Sequence, residues 1–600
     1  MPSQSRNLYE FGPFCLDASQ KVLLKDGNHV ELAPKTFDTL LVLVESAGRV
    51  IGKEAFMQRV WPDSVVEEGA ITSQVSLLRK ILNNGGCFIE TVPKRGYRFM
   101  GDVRHRGGGD GSLVVREMHT RTHITLSLSI QSIAVLPFHS LAGSGEADDY
   151  LRLGLADALT TRFSSVRDMI VRPTSAVLKY GALQTDPVTA GRELRVDSVL
   201  TGNFQRVGQR VRISLQLVDV SDGRALWGEI FDEELSNIFA VQDSISSQVA
   251  ERLVPHLSRE ERGVLTKQHT DNIEADQLYW KGRLLMNQSV RTPETVCKAI
   301  DYFKQAVARD SQFALAFADL AAAYEGASVS TLLPPLEMFP QAQEAVTKAL
   351  SLDPTLSEAH AIMGAIKWEY EHDWEGAESK LLKAIELNRS NASAHWNYAQ
   401  LLTMQGRHEE AMFEIERSQQ IDPLSSNIRA VKALVLYYAR RYEEAAEQAE
   451  ATLEIDPYAY RARMYATAIY EVRGLYDQAL EHVLKGRQLS GGAYPDVSLL
   501  ARIYAHLGEK RKFKTAFEEL KRLAKVKYVD PFAFVIVNEA QGTISEALDW
   551  LEKTYEARSY WITTLNVNPH LDRLRSAPGF GCILAKLNFP HSVFGKLLPD

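Results

Sequence analysis

The stretch Ala70-Ile71-Thr72-Ser73-Gln74-Val75-Ser76-Leu77-Leu78-Arg79-Lys80-Ile81-Leu82, with Phe88-Ile89-Glu90-Thr91-Val92-Pro93-Lys94-Arg95-Gly96-Tyr97-Arg98-Phe99 behind it, decides the reading of the N-terminal region. Ile71, Val75, Leu78 and Leu82 recur at helical spacing and so bury one stripe of a helix. At about 100° per residue, Thr72, Ser73, Ser76, Leu77 and Lys80 then face outward, with Gln74 at the flank of that face. A short, polar outer face of this kind is the size that enters a DNA major groove. The second stretch reads as two strands joined by a turn over Pro93, Lys94, Arg95 and Gly96, a hairpin with a basic tip.

Working outward, Leu8 to Leu32 holds short apolar stretches broken by Gly12-Pro13, Asp17-Ala18-Ser19 and Asp26-Gly27-Asn28, the punctuation of a small antiparallel sheet. Pro34 opens a helix with Phe37, Leu40, Leu41 and Val44 on one face, ending at Gly48. Lys53 to Val60 forms a second short helix, stopped by Trp61-Pro62-Asp63. Sheet, three helices and terminal hairpin make a winged helix-turn-helix over residues 1–104.

The order of elements and the residues Pro34-Lys35-Thr36-Phe37-Asp38-Thr39-Leu40-Leu41, Val60-Trp61-Pro62, Leu78-Arg79-Lys80 and Glu90 to Phe99 resemble the OmpR/PhoB-type DNA-binding domain. No receiver domain precedes it, which places the resemblance with the CadC/ToxR/HilA-like kind, where the reader comes first and the sensor follows. The resemblance implies double-stranded DNA as partner. It puts Thr72, Ser73, Gln74, Ser76 and Leu77 at or near base edges and Arg79 and Lys80 on phosphate. It also sets Lys94 and Arg95 at phosphates or the minor groove, with Thr91 and Tyr97 steadying the wing. Leu77 departs from related readers, which often carry a basic residue there, so thymine-methyl contact is the expected readout.

Charge agrees only locally. Between residues 79 and 106, seven basic side chains stand against Glu90 and Asp102, whereas the 600-residue chain carries −8 overall. Screening over roughly 8 Å leaves the local patch in command. With 45% hydrophobic and 24% charged residues the composition is that of an ordinary soluble protein of about four domains. Cys15, Cys87, Cys297 and Cys582 form no CxxC or Cys/His cluster, so no metal or cofactor is expected, and the thiols are expected to be buried in a reducing cytosol. Residues 1–7 have no apolar core of a signal peptide. Ile124 to Phe138 is too short and too polar to span a bilayer. The expected setting is cytoplasmic, without a membrane.

Residues 105–129, with Arg106-Gly107-Gly108-Gly109-Asp110-Gly111-Ser112, read as a flexible linker. Residues 130–257 alternate between strand and helix: strands over Ser132–Phe138, Met169–Arg172, Ser198–Arg206, Val211–Val220 and Ala225–Glu233, and helices over Asp148–Ser164, Pro187–Leu194 and Ile238–Leu257. This α/β domain, through Ser132-Ile133-Ala134-Val135-Leu136-Pro137-Phe138 and Leu200-Thr201-Gly202-Asn203-Phe204, is similar to the TolB N-terminal/FlgO-like module, which implies binding or assembly rather than catalysis. Gly143-Ser144-Gly145 lacks the Gly-Lys-Ser/Thr ending of a phosphate loop, and Asp148-Asp149 reads as helix capping rather than a metal site.

Residues 274–557 repeat. Ala377, Ala411, Ala445 and Ala479 lie 34 residues apart, and Asp353-Pro354, Asn388-Arg389, Asp422-Pro423 and Asp456-Pro457 keep step. That period, with small residues in the second helix and Asp-Pro at its end, is the tetratricopeptide pattern, an all-α solenoid. Trp280, Trp368, His395, Trp396, Asn397 and Arg429 are candidate lining residues of its concave face, and residues 558–600 are expected to cap the stack. The fold class is therefore multidomain: winged helix-turn-helix, α/β domain, solenoid. No Ser/His/Asp, Cys/His or paired-carboxylate arrangement emerges, so no enzyme is expected. The expected function is sequence-specific transcriptional regulation, with a protein or peptide partner on the repeats, RNA polymerase as a further partner and a homo-oligomer on DNA. The alternatives are a tetratricopeptide adaptor or assembly scaffold and, third, an enzyme hidden in the α/β domain.

Overall fold

The computed structural model describes residues 7–11, 14–18, 21–25, 28–30, 32–46, 50–52, 56, 59–60, 69–82, 88–92, 96–99, 103–107, 132–141, 150–164, 166, 169–181, 185–234, 238–253, 265, 269–287, 292–330 and 332–590. The chain divides into two compact units, residues 1–125 and 126–600.

In the first unit, β1 (Asn7–Phe11), β2 (Phe14–Asp17), β3 (Val22–Lys25) and β4 (Asn28–Val30) form the antiparallel meander that the Gly-Pro and Asp-Gly breaks predict. The helix Pro34–Glu45 follows, its proline in the first turn where no N–H is needed. Phe37, Leu40, Leu43 and Val44 form its buried face, while Leu41 is only half-buried. Of the expected helix Lys53–Val60, Phe56, Arg59 and Val60 are described and helical; Trp61 and Pro62 lie outside the described residues. β5 (Val50–Ile51), the helix Gly69–Leu82, β6 (Ile89–Val92) and β7 (Gly96–Phe99) complete the winged helix, with a sheet ordered β5-β7-β6.

One boundary moves. The sequence starts a flexible linker at residue 105, but β8 (Arg104–Gly107) pairs antiparallel with β1, Asn7 opposite Gly107. It is the edge of the sheet β4-β3-β2-β1-β8, where a charged strand such as Arg104-His105-Arg106 is tolerated because the edge needs no buried face. The reader therefore runs to residue 107. The rest of the expected linker, 108–129, lies outside the described residues.

In the second unit, β9 (Ser132–Val135), β10 (His139–Ser140), β11 (Ile170–Val171), β12 (Ser198–Val207), β13 (Arg210–Asp219) and β14 (Ala225–Glu234) build one sheet, ordered β11-β9-β12-β13-β14 with β10 also on β12. β9 is parallel to β11 and β12; β12, β13 and β14 are an antiparallel meander. Along β13, Val211, Ile213, Leu215 and Leu217 are buried between exposed polar neighbours. The helices Leu155–Ser164 and Ile238–Leu253 cover one face, and Pro187–Leu194 the other. β9 stops short of the expected Phe138 because Pro137 has no N–H for a ladder, and the expected strand Met169–Arg172 shrinks to Ile170–Val171. Gly143-Ser144-Gly145 and Asp148-Asp149 lie outside the described residues. No described helix is long and apolar enough to cross a membrane.

From Ile273 to Glu556 the described residues form eight antiparallel helix pairs. The expected small residues do close-packing work: Ala377, Ala411, Ala445 and Ala479 are fully buried. The Asp and Asn stop signals act as caps, Asp353, Asn388 and Asp456 each accepting the N–H two residues on. A left-handed residue ends the first helix of six successive pairs, at His372, Gly406, Arg440, Gly474, Gly508 and Gly542, 34 residues apart. The glycines take this conformation without strain, whereas His372 and Arg440 are held in it by side-chain contacts described below. The cysteine expectation is corrected: Cys297 and Cys582 are exposed, because both lie on outer faces of helices rather than on a packed stripe.

Candidate functional site

The recognition helix Gly69–Leu82 is fixed from beneath. Ile71, Val75, Leu78 and Leu82 are all buried, in one core with Phe37, Leu40, Phe56, Ile89 and Phe99. That stripe sets the helix phase and leaves positions 72, 73, 76, 77 and 80 on the opposite side. Leu77 is 43% exposed, a large apolar residue held in water on that side. The side chains of Thr72, Ser73, Ser76, Lys80 and Thr91 lie outside those described.

Two residues assigned to DNA by resemblance also hold the domain together. Thr36 Oγ1, 1% exposed, donates to Gln74 Oε1 at 2.7 Å, tying the recognition helix to the helix Pro34–Glu45. Arg79 Nε donates to the Ile89 carbonyl at 3.0 Å, tying it to the first wing strand. The first bond fixes the recognition helix on the helix beneath it, and the second fixes its angle to the wing. Neither was legible in the sequence, because periodicity does not show which polar side chain turns back on its own domain.

The wing is the hairpin β6–β7, with Glu90 opposite Arg98, Thr91 opposite Tyr97 and Val92 opposite Gly96. Gly96 has φ +135°, and a Cβ there would lie 1.9 Å from the Ile51 carbonyl oxygen, so only glycine fits beside β5. Tyr97 is 6% exposed, its ring edge-on to Phe56 at 6.1 Å. It therefore anchors the wing from the core side. Lys94 and Arg95 lie outside the described residues.

The repeats offer a different picture from the open groove that the sequence suggests. Residues 558–589 pack on the last helix pair, with Leu571, Leu574, Phe580 and Ile583 in one core with Phe532, Ala547 and Leu551, and they also run back across the first helices of earlier pairs. Arg558 donates to the Tyr370 carbonyl, Tyr560 OH to Gln400 Oε1 and Asn566 Nδ2 to the Met404 carbonyl. Arg440 holds Asp572 with two hydrogen bonds at 2.7 and 2.8 Å. Trp374 Nε1 donates to the Leu587 carbonyl at 2.7 Å and its ring stacks on Phe589 at 4.5 Å. Tyr560 and Val567 belong to the same buried core as Trp368, Leu402 and Val435.

The candidate lining residues are redistributed accordingly. Trp368 is wholly buried against Tyr560. Trp280 packs into the core of the α/β domain. His395 is bonded to Glu414 at 2.6 Å, and Arg429 Nε donates to the Pro423 carbonyl. Trp396 stays half-buried beneath the Arg461 guanidinium, and Asn397 is buried. The α/β domain is itself clamped to the repeats by Arg172. Its guanidinium donates to the carbonyls of Leu194, Arg195, Gln420 and Ile421, and burial lowers its pKa to about 10 despite the nearby Asp422.

The tail contact is acid-sensitive. Burial pushes His372 down to about 4, helped by Arg558, and pushes His570 down to about 3, helped by Arg502 and His506 against Glu471 and Asp572. Both histidines, His372 on the repeats and His570 on the tail, are neutral when docked, so the undocked state binds more protons below about 6.5, and docking weakens as pH falls from there toward 4 and 3. Going from pH 7 to 5 is expected to cost about 2 kcal/mol per histidine. Hydrogen exchange, corrected for its intrinsic pH dependence, should show residues 560–575 losing protection at pH 5 ahead of the helix His408–Ile421. Equal protection at both pH values contradicts this.

Comparison with known proteins agrees with the domain order. Residues 27–99 match the family described as transcriptional regulatory protein, C terminal. Residues 129–248 match the HilA/YgeH-like transcriptional regulator, second domain, and 370–435 and 431–494 match tetratricopeptide repeats. The Transcriptional regulator HilA of Salmonella typhi is 23% identical over 453 residues, which is 72% of this chain and 74% of that protein. The Putative adenylate cyclase 3 of Rhizobium meliloti is 35% identical over 138 residues, only 22% of this chain and 23% of that protein. The solved DNA-binding domain of Escherichia coli CadC is 28% identical, with a TM-score of 0.16, covering 17% of this chain and 98% of that one. The chain thus carries an OmpR/PhoB-type DNA-binding domain, a HilA-like second domain and C-terminal tetratricopeptide repeats. Among the described residues, no group of three or more His, Cys, Asp or Glu could hold a metal ion.

Proposed function

We propose that this chain, built from the domains of a transcriptional regulator, reads promoter DNA sequence-specifically through the helix Gly69–Leu82. The observation that carries the reading is a recognition helix whose stripe of Ile71, Val75, Leu78 and Leu82 is buried, bonded to the helix beneath it and to the wing beside it. A helix tied to both neighbouring elements in this way keeps its outward face at a fixed angle in a groove, which base readout requires. Thr72, Ser73, Ser76 and Leu77 read base edges and Lys80 meets phosphate. Gln74 and Arg79 combine positioning with whatever contact their remaining donors make. Lys94 and Arg95 hold the backbone beside the reader, with Thr91 and Tyr97 orienting the wing. The setting is the cytoplasm.

The α/β domain and repeats form the sensing and assembly half. The input comes through this half, which brings two copies onto adjacent half-sites and meets RNA polymerase or another protein. The adaptor reading loses ground because first helices of the kind such arrays offer to partners are covered, at Tyr370, Gln400 and Met404, by the chain's own tail. A partner uses the uncovered pairs or displaces residues 558–589.

The wing gives the direct test. In the full chain, Lys94→Ala with Arg95→Ala is expected to weaken binding to all DNA sequences alike. It should lower the slope of log affinity against log salt by roughly 2, since each lost phosphate contact removes about 0.9. An unchanged slope places the wing away from DNA.

A further inference from the structure

The helix Lys510–Leu523 is unlike the other second helices of the array. It buries Ala516, Leu520 and Leu523 against the solenoid. Its opposite face carries Lys510, Lys514 and Lys521 within about 40° of one another, with Arg511 and Arg522 beside them. Lys525 and Lys527 continue the row in the turn behind. All of these side chains are exposed. Lys521 is paired with Glu518 and Lys512 with Glu509, while Glu519 is taken by Arg487. Lys510, Arg511, Lys514, Arg522, Lys525 and Lys527 make no ion pair among the described residues. The corresponding helix Tyr442–Ile455 carries Glu443, Glu444, Glu447 and Glu450 instead, so the basic face is not a property of the repeat.

This face is costly to the isolated protein. Lys510, Arg511 and Lys512 occupy the first turn, where the one carboxylate, the N-cap Glu509, pairs with Lys512, so Lys510 and Arg511 stand unpaired among the described residues at the positive end of the helix dipole. Lys510 and Lys514 repel one turn apart. A local choice that works against its own helix is expected where a ligand compensates it. An anion at this end meets both the side chains and the free N–H groups.

We propose that the outward face of Lys510–Leu523, with Lys525 and Lys527, is a second, sequence-independent contact for the phosphate backbone of the DNA that the winged helix reads. The inference rests on the proposed DNA-binding function. Duplex phosphate is favoured over other anions on chemistry. The apolar stripe of this helix is spent inward, and Val526 alone among residues 510–527 is an exposed large apolar side chain, too little to enter a lipid surface. Phe517 lies half-buried beneath Lys521, so this lysine-dominated row presents no exposed aromatic anchor, the centre of a protein interface. A row of point charges about 21 Å long needs only a row of phosphates. Such a contact adds affinity and register without adding sequence information.

The test uses the full chain and a mixed-sequence 60-base-pair duplex, titrated between about 50 and 200 mM salt. The six-fold variant Lys510→Gln, Arg511→Gln, Lys514→Gln, Arg522→Gln, Lys525→Gln, Lys527→Gln is expected to lower the log–log salt slope by roughly 2 to 5. The DNA sequence it prefers should stay the same. Lys525→Gln with Lys527→Gln, outside the helix, should lower the slope by roughly 1 to 2 even if the larger variant folds poorly. An unchanged slope in both, while Lys94→Ala with Arg95→Ala lowers it, overturns this inference and leaves the reader intact. An unchanged slope with lost self-association in sedimentation overturns it in favour of a contact between proteins. Failure of the unaltered chain to bind any duplex overturns the function and this inference together.

Discussion

Arg502→Ala is expected to destabilise the repeat array by about 3–5 kcal/mol, the cost of stranding buried carboxylates when their cation is removed. Arg502 is 5% exposed and joins the first helices of three consecutive pairs. Its Nε donates to Glu471 Oε1 at 2.5 Å, and its Nη1 to Glu539 Oε2 at 2.6 Å and the Ile536 carbonyl at 2.8 Å. Glu471 and Glu539 are almost wholly buried, and the Arg502 guanidinium holds Glu471 ionised against its burial, down to about 2. Replacing the triad together by apolar or amide residues of similar size should cost far less, because no charge is left behind. Urea unfolding of the full chain, followed by helical circular dichroism, measures both. A loss below about 1 kcal/mol for Arg502→Ala contradicts a charge-locked array.

The second large effect concerns assembly. A winged-helix monomer reads only a few base pairs, so useful specificity calls for two copies on adjacent half-sites. Residues 1–107 alone should then bind one operator about 10²-fold or more weakly than the full chain, through lost avidity. The fragment must end after Gly107, since ending at residue 104 strips β8 from β1 and confuses lost folding with lost avidity. It holds a complete core of its own, from Phe11 to Phe99. Binding is measured beside the sedimentation of each protein. A full-length monomer with the affinity of the fragment contradicts the coupling, and leaves the C-terminal half a recruiter of other proteins.

What the sequence disclosed and what it hid divide along one physical line. The stripe Ile71, Val75, Leu78 and Leu82 and the 34-residue beat of alanines and Asp-Pro stops are local periodicities, and the structure has them where the sequence puts them. The tail across the repeats, the Arg172 clamp and the Arg502 lock are long-range. Trp374 meets Leu587 across 213 residues, and Arg172 meets Ile421 across 249. Each such residue, taken in its own segment, looks like an ordinary polar or aromatic surface position. His372 and Arg440 were hidden for a related reason. They occupy the left-handed position that glycine marks elsewhere, and tail residues Arg558 and Asp572 are what secure them. At the candidate site, the buried side of the helix Gly69–Leu82 was legible. The bonds of Gln74 to Thr36 and of Arg79 to Ile89 were not, since each depends on how two elements meet.

The account stands on base reading by the recognition helix, and selection from a random duplex pool tests that most directly. The full chain is predicted to enrich one defined motif. Ser76→Ala or Leu77→Arg should then shift the preference at one base pair, by about 1–3 kcal/mol, and leave the rest of the motif in place. Enrichment of no motif, or of an identical motif with identical strength in both variants, would show that the helix Gly69–Leu82 is not the reader.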